Sequence, residues 1–161
     1  MDTTEGENNL DKKFQRESIA PMHTAEHILN QTMVRMFGCP RSRNAHIEQK
    51  KSKADYLLPQ PPTDEQVNAI ETAVNEVIAR DLPVTEEFMS MEEASHIVDL
   101  SKLPADVSQT LRIIRIGDYD ACACSGLHVK HTSEVGRFEI ISHDYADGRW
   151  RVRFKLKNNH L

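Results

Sequence analysis

The sequence predicts a single α+β domain in which a mostly antiparallel sheet packs against two main helices. The chain has 161 residues, the length of one ordinary domain with a real core. Two segments of its first half have helical periodicity, and its last third changes to a period of two, as in half-buried strands. We therefore expect the helices to cover one face of strands that come mainly from the second half of the chain.

The first helix is predicted to follow a leader without structure. Residues 1–20 are polar, charged and without periodicity, so we expect a flexible leader and then one domain over residues 21–161. The helix begins at Pro21 or Met22 and ends at Phe37, because Gly38 and Pro40 stop it.

The remaining elements follow from local patterns. Strands are predicted at residues 44–50 and 53–58, and prolines then break the chain at 59–62. Thr63 and Gln66 form a capping box that opens a second helix, which runs to Arg80. A strand at 83–89, a short helix at 91–97 and a turn at 103–106 come next. Strands at 111–116, 135–142 and 149–156 complete the domain, with a turn at 146–148 between the last two.

Composition excludes several classes of protein. No apolar run approaches the ~18 residues of a membrane span, and the acidic N-terminus does not resemble a signal peptide. We therefore expect a cytoplasmic protein that does not enter a membrane. Three cysteines, an odd number, favour metal binding or free thiols over a disulfide framework.

Two pairs of residues indicate a metal site. His23 and His27 are four residues apart in the predicted first helix, so both imidazoles lie on one face. Cys124 and His128 repeat this spacing around a Ser-Gly segment that can form a tight turn. Histidine and cysteine are the ligands of four-coordinate zinc, so the sequence predicts a Zn²⁺ site. Cys122 is the alternative to Cys124, since both side chains point to the same side of an extended strand.

Three segments carry a resemblance to a known family: HTAEHIL at 23–29, CSGLHV at 124–129 and TSEVGRF at 132–138. They resemble the editing domain shared by alanyl- and threonyl-tRNA synthetases, and most of all the stand-alone alanyl-tRNA editing proteins of the short AlaX type. The resemblance extends from about residue 21 to residue 157 and implies an editing-domain-like fold. It also implies zinc ligands at His23, His27, Cys124 and His128.

The resemblance implies an activity as well. It is that of a zinc-dependent trans-editing hydrolase that deacylates mischarged tRNA, with Ser-tRNA(Ala) the first candidate substrate and Gly-tRNA(Ala) a further one. The partner would be the acceptor end of the tRNA; the sequence does not determine the oligomeric state. The family motif usually reads Cys-Gly-Gly-Thr-His, and here Ser125 and Leu127 replace a glycine and the threonine. Leu127 removes a hydroxyl near the pocket and so bears on the amino-acid preference.

Three residues are candidates for the chemistry, and the positions matching two of them, Glu26 and Gln49, line the family's substrate pocket. Glu26 can act as the general base if burial raises its pKa; otherwise it is an exposed carboxylate or a partner of an imidazole. Gln49 can hydrogen-bond the substrate hydroxyl or ester carbonyl. Thr24 is a weaker pocket candidate, whose alternative role is hydrogen bonding at the helix N-terminus.

Two basic clusters suit tRNA phosphates. Residues 149–157 alternate basic and apolar, which places five cations on one face of a strand. A second cluster comprises Arg41, Arg43, Lys50, Lys51 and Lys53. The alternative interpretation of the strand is a solvated edge whose charges prevent aggregation.

Two other functions remain open from the sequence. His23-x-x-Glu26-His27 also fits the H-x-x-E-H motif of a small metallopeptidase, which would need a distant carboxylate rather than Cys124 and His128. A closed zinc site beside a basic strand would also suit a non-catalytic RNA-binding module.

Overall fold

The computed structural model describes the backbone of residues 4–100 and 110–157, and side chains from residue 19 onward. The predicted turn at 103–106 and the first three residues of the predicted leader lie outside these ranges. Its helices are α1 (Thr4–Phe37), α2 (Asp64–Ala79) and α3 (Met91–Ser95), with a 3-10 helix at Thr132–Val135. Its strands are β1 (Asn44–His46), β2 (Ser52–Leu57), β3 (Val84–Ser90), β4 (Thr110–Ile116), β5 (Asp120–Ala123), β6 (Arg137–Ala146) and β7 (Arg149–Lys157).

The α+β class is confirmed, and the strands divide into two antiparallel sheets. The larger sheet has the order β1-β2-β7-β6 and the smaller one β3-β4-β5. The β6–β7 hairpin closes at Asp147 and Gly148, both with positive φ, in the predicted turn. Strand β5 was not predicted, because it has only four residues and lies among the small and thiol side chains next to the metal motif.

Helix α1 begins earlier than predicted. It starts at Thr4 and passes through Pro21, which the prediction placed at the start of the helix, where proline is most common. The helix continues upstream of the proline, and there Ala20 is buried and Ile19 packs against the main core. The predicted end is confirmed: Gly38 has φ +67° and its N–H donates to the carbonyl of Val34.

Helix α2 begins at the predicted capping box. The Thr63 hydroxyl accepts from the Gln66 N–H at 3.1 Å, and the Gln66 side chain accepts from the Thr63 N–H at 2.8 Å. Its buried residues, Val67, Ile70, Val74, Val77 and Ile78, form one apolar face.

The main core lies between helices α1 and α2 and the inner face of the larger sheet. It includes Trp150, Tyr56 and Phe138, all fully buried. A second, smaller core around Ile113 and Leu111 lies on the smaller sheet, next to α3. Strand β5 of the smaller sheet contacts α1, whose Gln31 and Arg35 donate to the carbonyl of Tyr119 just before the strand. No helix within the described ranges is long and apolar enough to span a membrane.

Candidate metal centre

The structure brings the four predicted metal ligands together. His23 and His27 are one turn apart on α1, and Cys124 and His128 lie in the segment that follows β5. One donor atom from each of the four side chains lies within 4.8 Å of the other three. The three imidazole rings are in contact, with centroid separations of 4.4–5.1 Å. This group of His and Cys side chains has the composition and the spacing of a metal site.

Two buried nitrogens in the cluster lack a hydrogen-bond partner among the described residues. Nδ1 of His27 and Nε2 of His128 are shielded from solvent and make no hydrogen bond. A buried polar atom without a partner costs free energy. For Nε2 of His128, a metal at the centre of the cluster would supply the missing partner, so the residues present fit a bound ion.

Protein groups orient two of the imidazoles. Nδ1 of His23 lies 3.3 Å from the carbonyl of Leu127, and Nδ1 of His128 lies 2.9 Å from the hydroxyl of Thr24. In each ring the contact leaves Nε2 as the nitrogen that faces the other donors. Hydrogen bonds of this kind fix the tautomer and ring orientation of metal ligands.

The hydroxyl of Thr24 therefore contacts the ring nitrogen of His128 that points away from the other donors. The side chain of Thr24 is fully buried, and its hydroxyl also accepts the backbone N–H of Val129 at 3.2 Å. Because α1 begins at Thr4, Thr24 is far from the helix N-terminus, and the alternative role at that terminus does not apply. The hydroxyl instead joins α1 to the segment that carries His128.

A buried ion pair lies beside His27. Oδ2 of Asp120 is 3.8 Å from Nδ1 of His27, and the same carboxylate accepts two hydrogen bonds from Arg41, at 2.6 and 3.2 Å. Burial raises the pKa of Asp120, although Arg41 opposes the shift. A carboxylate near the second nitrogen of a metal-binding histidine is a common supporting group. Asp120 was not identified from the sequence, although its alternation with Cys122 and Cys124 was a usable signal.

Arg112 on β4 holds the segment that carries Cys124. Its Nη1 donates to the carbonyls of Cys124 and Gly126, at 3.0 and 2.7 Å, while its Nε donates to Glu86 at 2.6 Å. Gly126 lies against His23, where a Cβ would come within 2.0 Å of Cε1. Glycine is thus required at this position by a close approach between backbone and imidazole. Arg112 was not identified from the sequence, since only the fold places it opposite this segment.

The pKa shifts of His27, Cys124 and His128 favour the protonation states that bind metal. Burial, with the nearby His23 and Arg112, lowers the pKa of His128 to about 3. Burial also lowers the pKa of His27 well below its ordinary value. For Cys124 burial favours a higher pKa, but the contact with His23 outweighs it and lowers the pKa of the thiol. Burial favours a lower pKa for His23, but the same contact with Cys124 outweighs it and raises the pKa of this imidazole. Neutral imidazoles and a thiolate are the forms that bind metal, so a bound ion would displace the proton of His23.

The two other predicted residues lie in different environments. Glu26 is half-buried on α1 and accepts a hydrogen bond from Asn30 at 3.4 Å. Its charge acts on both His23 and Cys124, so the carboxylate is near the donors. Gln49 is exposed at the bend between β1 and β2. Cys122 lies outside the four-donor group, as expected from the spacing argument.

The five cations of β7 are all paired within the protein. Asp55 binds Arg149 and Arg151, Asp144 binds Arg153, and Glu139 binds Lys155 and Lys157. These carboxylates lie on the neighbouring strands β2 and β6. The sequence pattern correctly placed the cations on a strand but did not reveal this neutralisation, so β7 is a weak candidate for phosphate binding. We call these residues the β7 cations.

The sequence of this chain is similar to those of tRNA synthetases, and the matched region includes part of the candidate metal centre. The family model "Threonyl and Alanyl tRNA synthetase second additional domain" matches residues 111–153, which include Cys124 and His128. The chain is 32% identical over 144 residues to the alanine–tRNA ligase of Treponema denticola, covering 88% of this chain and 24% of that protein. It is 30% identical over 131 residues to the enzyme of Fervidobacterium nodosum, covering 81% and 15%. The chain thus spans a quarter or less of these relatives. It belongs to the family of editing-type domains related to the alanyl-tRNA synthetases.

Proposed function

We propose that this chain is a zinc-dependent aminoacyl-tRNA deacylase that hydrolyses mischarged tRNA, with Ser-tRNA(Ala) the first substrate and Gly-tRNA(Ala) a further one. The convergence of His23, His27, Cys124 and His128 carries the proposal. The family of the chain supplies the substrate class. A protein that acts in this way by itself would be an editing protein of the short AlaX type.

The spacing of the donors supports zinc. Nε2 of His23 lies 3.5 Å from Sγ of Cys124. A tetrahedral zinc ion with Zn–S of ~2.3 Å and Zn–N of ~2.0 Å separates sulfur and nitrogen by about 3.5 Å. This contact therefore has the length of one edge of a zinc tetrahedron. Bound there, zinc would supply positive charge that polarises the ester carbonyl or orients the substrate's amino group.

Glu26 is the group proposed to move the proton. Its carboxylate would accept a proton from the water that attacks the ester carbonyl, and would return it to the ribose oxygen as the C–O bond breaks. One water is consumed, and a free amino acid and a tRNA with a terminal hydroxyl are released. General-base catalysis of this kind contributes about 10²–10⁴ to the rate.

Gln49 and Thr24 would have distinct tasks. Gln49 is proposed to bind the substrate hydroxyl or ester carbonyl from the β1–β2 bend. A site that hydrogen-bonds a serine hydroxyl disfavours alanine, because alanine leaves those groups unpaired. Thr24 would act as a positioning residue for His128, since its hydroxyl already bonds His128 and Val129.

A non-catalytic zinc module is the second candidate, and one observation favours it. Four protein donors complete a tetrahedral site, as in structural zinc proteins. The metallopeptidase hypothesis has less support, because Cys124 and His128 stand where such an enzyme would place a carboxylate and an open position.

A deacylation panel with metal analysis tests the proposal. The full chain is assayed on Ser-, Gly- and Ala-tRNA(Ala), and zinc is measured by mass spectrometry on the same sample. We expect cleavage of Ser-tRNA(Ala) and much slower cleavage of Ala-tRNA(Ala). Glu26→Gln should slow cleavage at least about 100-fold without loss of zinc. Glu76→Gln, an exposed carboxylate on α2, is the matched control.

Three results would change the conclusion. A zinc-loaded chain without turnover on any mischarged tRNA would indicate the non-catalytic module. Equal rates on Ser- and Ala-tRNA(Ala) would exclude an editing role. If the Cys124→Ser variant kept its full zinc content, the thiol would not be a zinc ligand, and the metallopeptidase hypothesis would be favoured.

A further inference from the structure

The β1–β2 hairpin and the residue before it carry cations that have no ion-pair or hydrogen-bond partner among the described residues. Among the side chains in the described ranges, these cations make no ion pair or hydrogen bond: Arg43, Lys50, Lys51 and Lys53. Arg43, Lys50 and Lys51 are exposed and Lys53 is half-buried. We call these four residues the turn cations. They contrast with the β7 cations, each of which is held by a carboxylate.

The turn is ordered and strongly positive. Ser52, which is buried, donates from its hydroxyl to the carbonyl of Glu48 and accepts the Glu48 N–H, at 3.1 and 2.9 Å. Ile47 packs against the main core. Glu48 is the one carboxylate in residues 43–53, and it is bonded to His46 at 2.7 Å. The backbone of the turn is thus held in place, and the turn cations have one carboxylate among them in sequence, in a chain whose net charge is −5.

The base of this hairpin is joined to the metal centre. Arg41 binds Asp120, which lies beside His27. The N–H of Ser42 donates to Asn30 on α1, at 3.3 Å. A chain from residue 42 to residue 50 spans at most about 29 Å when fully extended. At ~3.4 Å per stacked nucleotide, this reach corresponds to about eight nucleotides.

We infer that the turn cations bind the phosphate backbone of tRNA within about eight nucleotides of the acceptor terminus, and that the β7 cations do not. The inference rests on the proposed function, because that function places the acceptor terminus at the metal centre. The turn cations can contact phosphates without breaking an ion pair, whereas the β7 cations would first have to break their ion pairs with carboxylates. The patch would also place Gln49, in the same turn, near the end of the bound strand.

The test compares two double variants with equal changes in charge. Lys50→Ala/Lys51→Ala removes two turn cations, and Lys155→Ala/Lys157→Ala removes two β7 cations that share Glu139. Binding of uncharged tRNA(Ala) to the full chain is followed by fluorescence anisotropy from 50 to 200 mM KCl. Thermal melting of each variant confirms that it is folded.

We expect the turn variant to bind tRNA roughly tenfold more weakly at 0.1 M salt. The slope of log K against log salt is negative, and its magnitude should decrease by about 1.5 in this variant. The β7 variant should change affinity less than twofold. Equal losses in the two variants, a larger loss in the β7 variant, or no binding by the wild type would each overturn the inference. Wild-type cleavage of Ser-tRNA(Ala), together with unchanged affinity of the turn variant, would refute this surface and leave the deacylase proposal standing. Absence of cleavage by the wild type would refute the deacylase proposal instead.

Discussion

Replacement of Gly126 by alanine is the most direct test of the metal centre. An added Cβ would lie 2.0 Å from Cε1 and 2.4 Å from Nδ1 of His23. Carbon atoms in contact are ~3.5–4.0 Å apart, so the ring must move by about 1.5 Å or more. The segment itself has little freedom to move, because Arg112 binds the carbonyls of Cys124 and Gly126. The displacement therefore falls mainly on His23.

A displacement of this size is incompatible with ligation by His23. Metal–ligand distances tolerate about 0.2 Å, which is several times less than the required movement. The shift would also break the contact between Nδ1 of His23 and the carbonyl of Leu127. Loss of a supporting hydrogen bond alone weakens metal affinity by about 10–100-fold. We expect the loss in Gly126→Ala to exceed that range.

Zinc affinity is measured by competition with a chromophoric chelator, and the absorption of the Co²⁺-substituted protein reports the number of ligands. Ser125→Ala, an exposed neighbour in the same segment, is the control and should keep wild-type affinity. A Gly126→Ala protein that binds zinc within twofold of wild type, with an unchanged Co²⁺ spectrum, would refute the geometry described for this site.

Three further predictions concern residues outside the group of four donors. Thr24→Val should weaken zinc binding about 10–100-fold in the same competition assay, while Thr24→Ser should restore it; equal losses in both would mean that the hydroxyl does not hold His128. Asp55→Asn should lower the free energy of unfolding in urea by about 2 kcal/mol at pH 7. The hydrogen bond from Arg151, above all, holds the pKa of Asp55 below its unfolded value of 3.8, so this stabilisation is present above that value and is lost as the pH falls through the folded pKa. A wild-type advantage that stayed constant down to pH 2 would contradict this origin. Thr63→Ala should cost about 1 kcal/mol in urea unfolding through loss of the α2 cap, whereas no change would show that the capping box is not stabilising.

The four donors were predictable because their signal is local. Each pair has a spacing that a helix or a tight turn converts into neighbouring side chains, and the residue types match one metal. The pairing of the two halves was an inference from chemistry, and in the structure one donor atom of each residue lies within 4.8 Å of the others. Cys124 was preferred to Cys122 on spacing alone, and Cys124 is the cysteine whose sulfur lies among the histidine nitrogens.

The groups around the donors were not predictable in this way. Asp120 and Arg41 are 79 residues apart in the sequence, and only the packing of β5 against the end of α1 brings them together beside His27. The same reason explains why the ion pairs of the β7 cations were not predicted. Alternation shows which face a cation occupies, but the carboxylates that neutralise the β7 cations come from β2 and β6, so their positions depend on strand register.

The fold class and the order of its elements were easier to predict from the sequence than the residues at which the elements begin and end. The start of α2 and the turn of the β6–β7 hairpin carry explicit capping and turn residues, and both were placed correctly. Strand β6 itself runs from Arg137 to Ala146 rather than over the predicted residues 135–142. The start of α1 was wrong because the prediction treated Pro21 as an N-terminal signal. The division into two sheets depends on which strands pair, and strand pairing is not encoded in the periodicity of any one strand.

The position of the metal centre between two layers has a consequence for its rigidity. α1 belongs to the main core, whereas the segment with Cys124 and His128 follows a strand of the smaller sheet. The two layers are already joined near Tyr119, whose carbonyl accepts from Gln31 and Arg35 and whose hydroxyl bonds Thr32 at 2.6 Å. Because these contacts do not involve the donor atoms, the protein itself holds the two halves of the site in register. The site is thus preorganised, so that the free energy of metal binding is not consumed in assembling the fold.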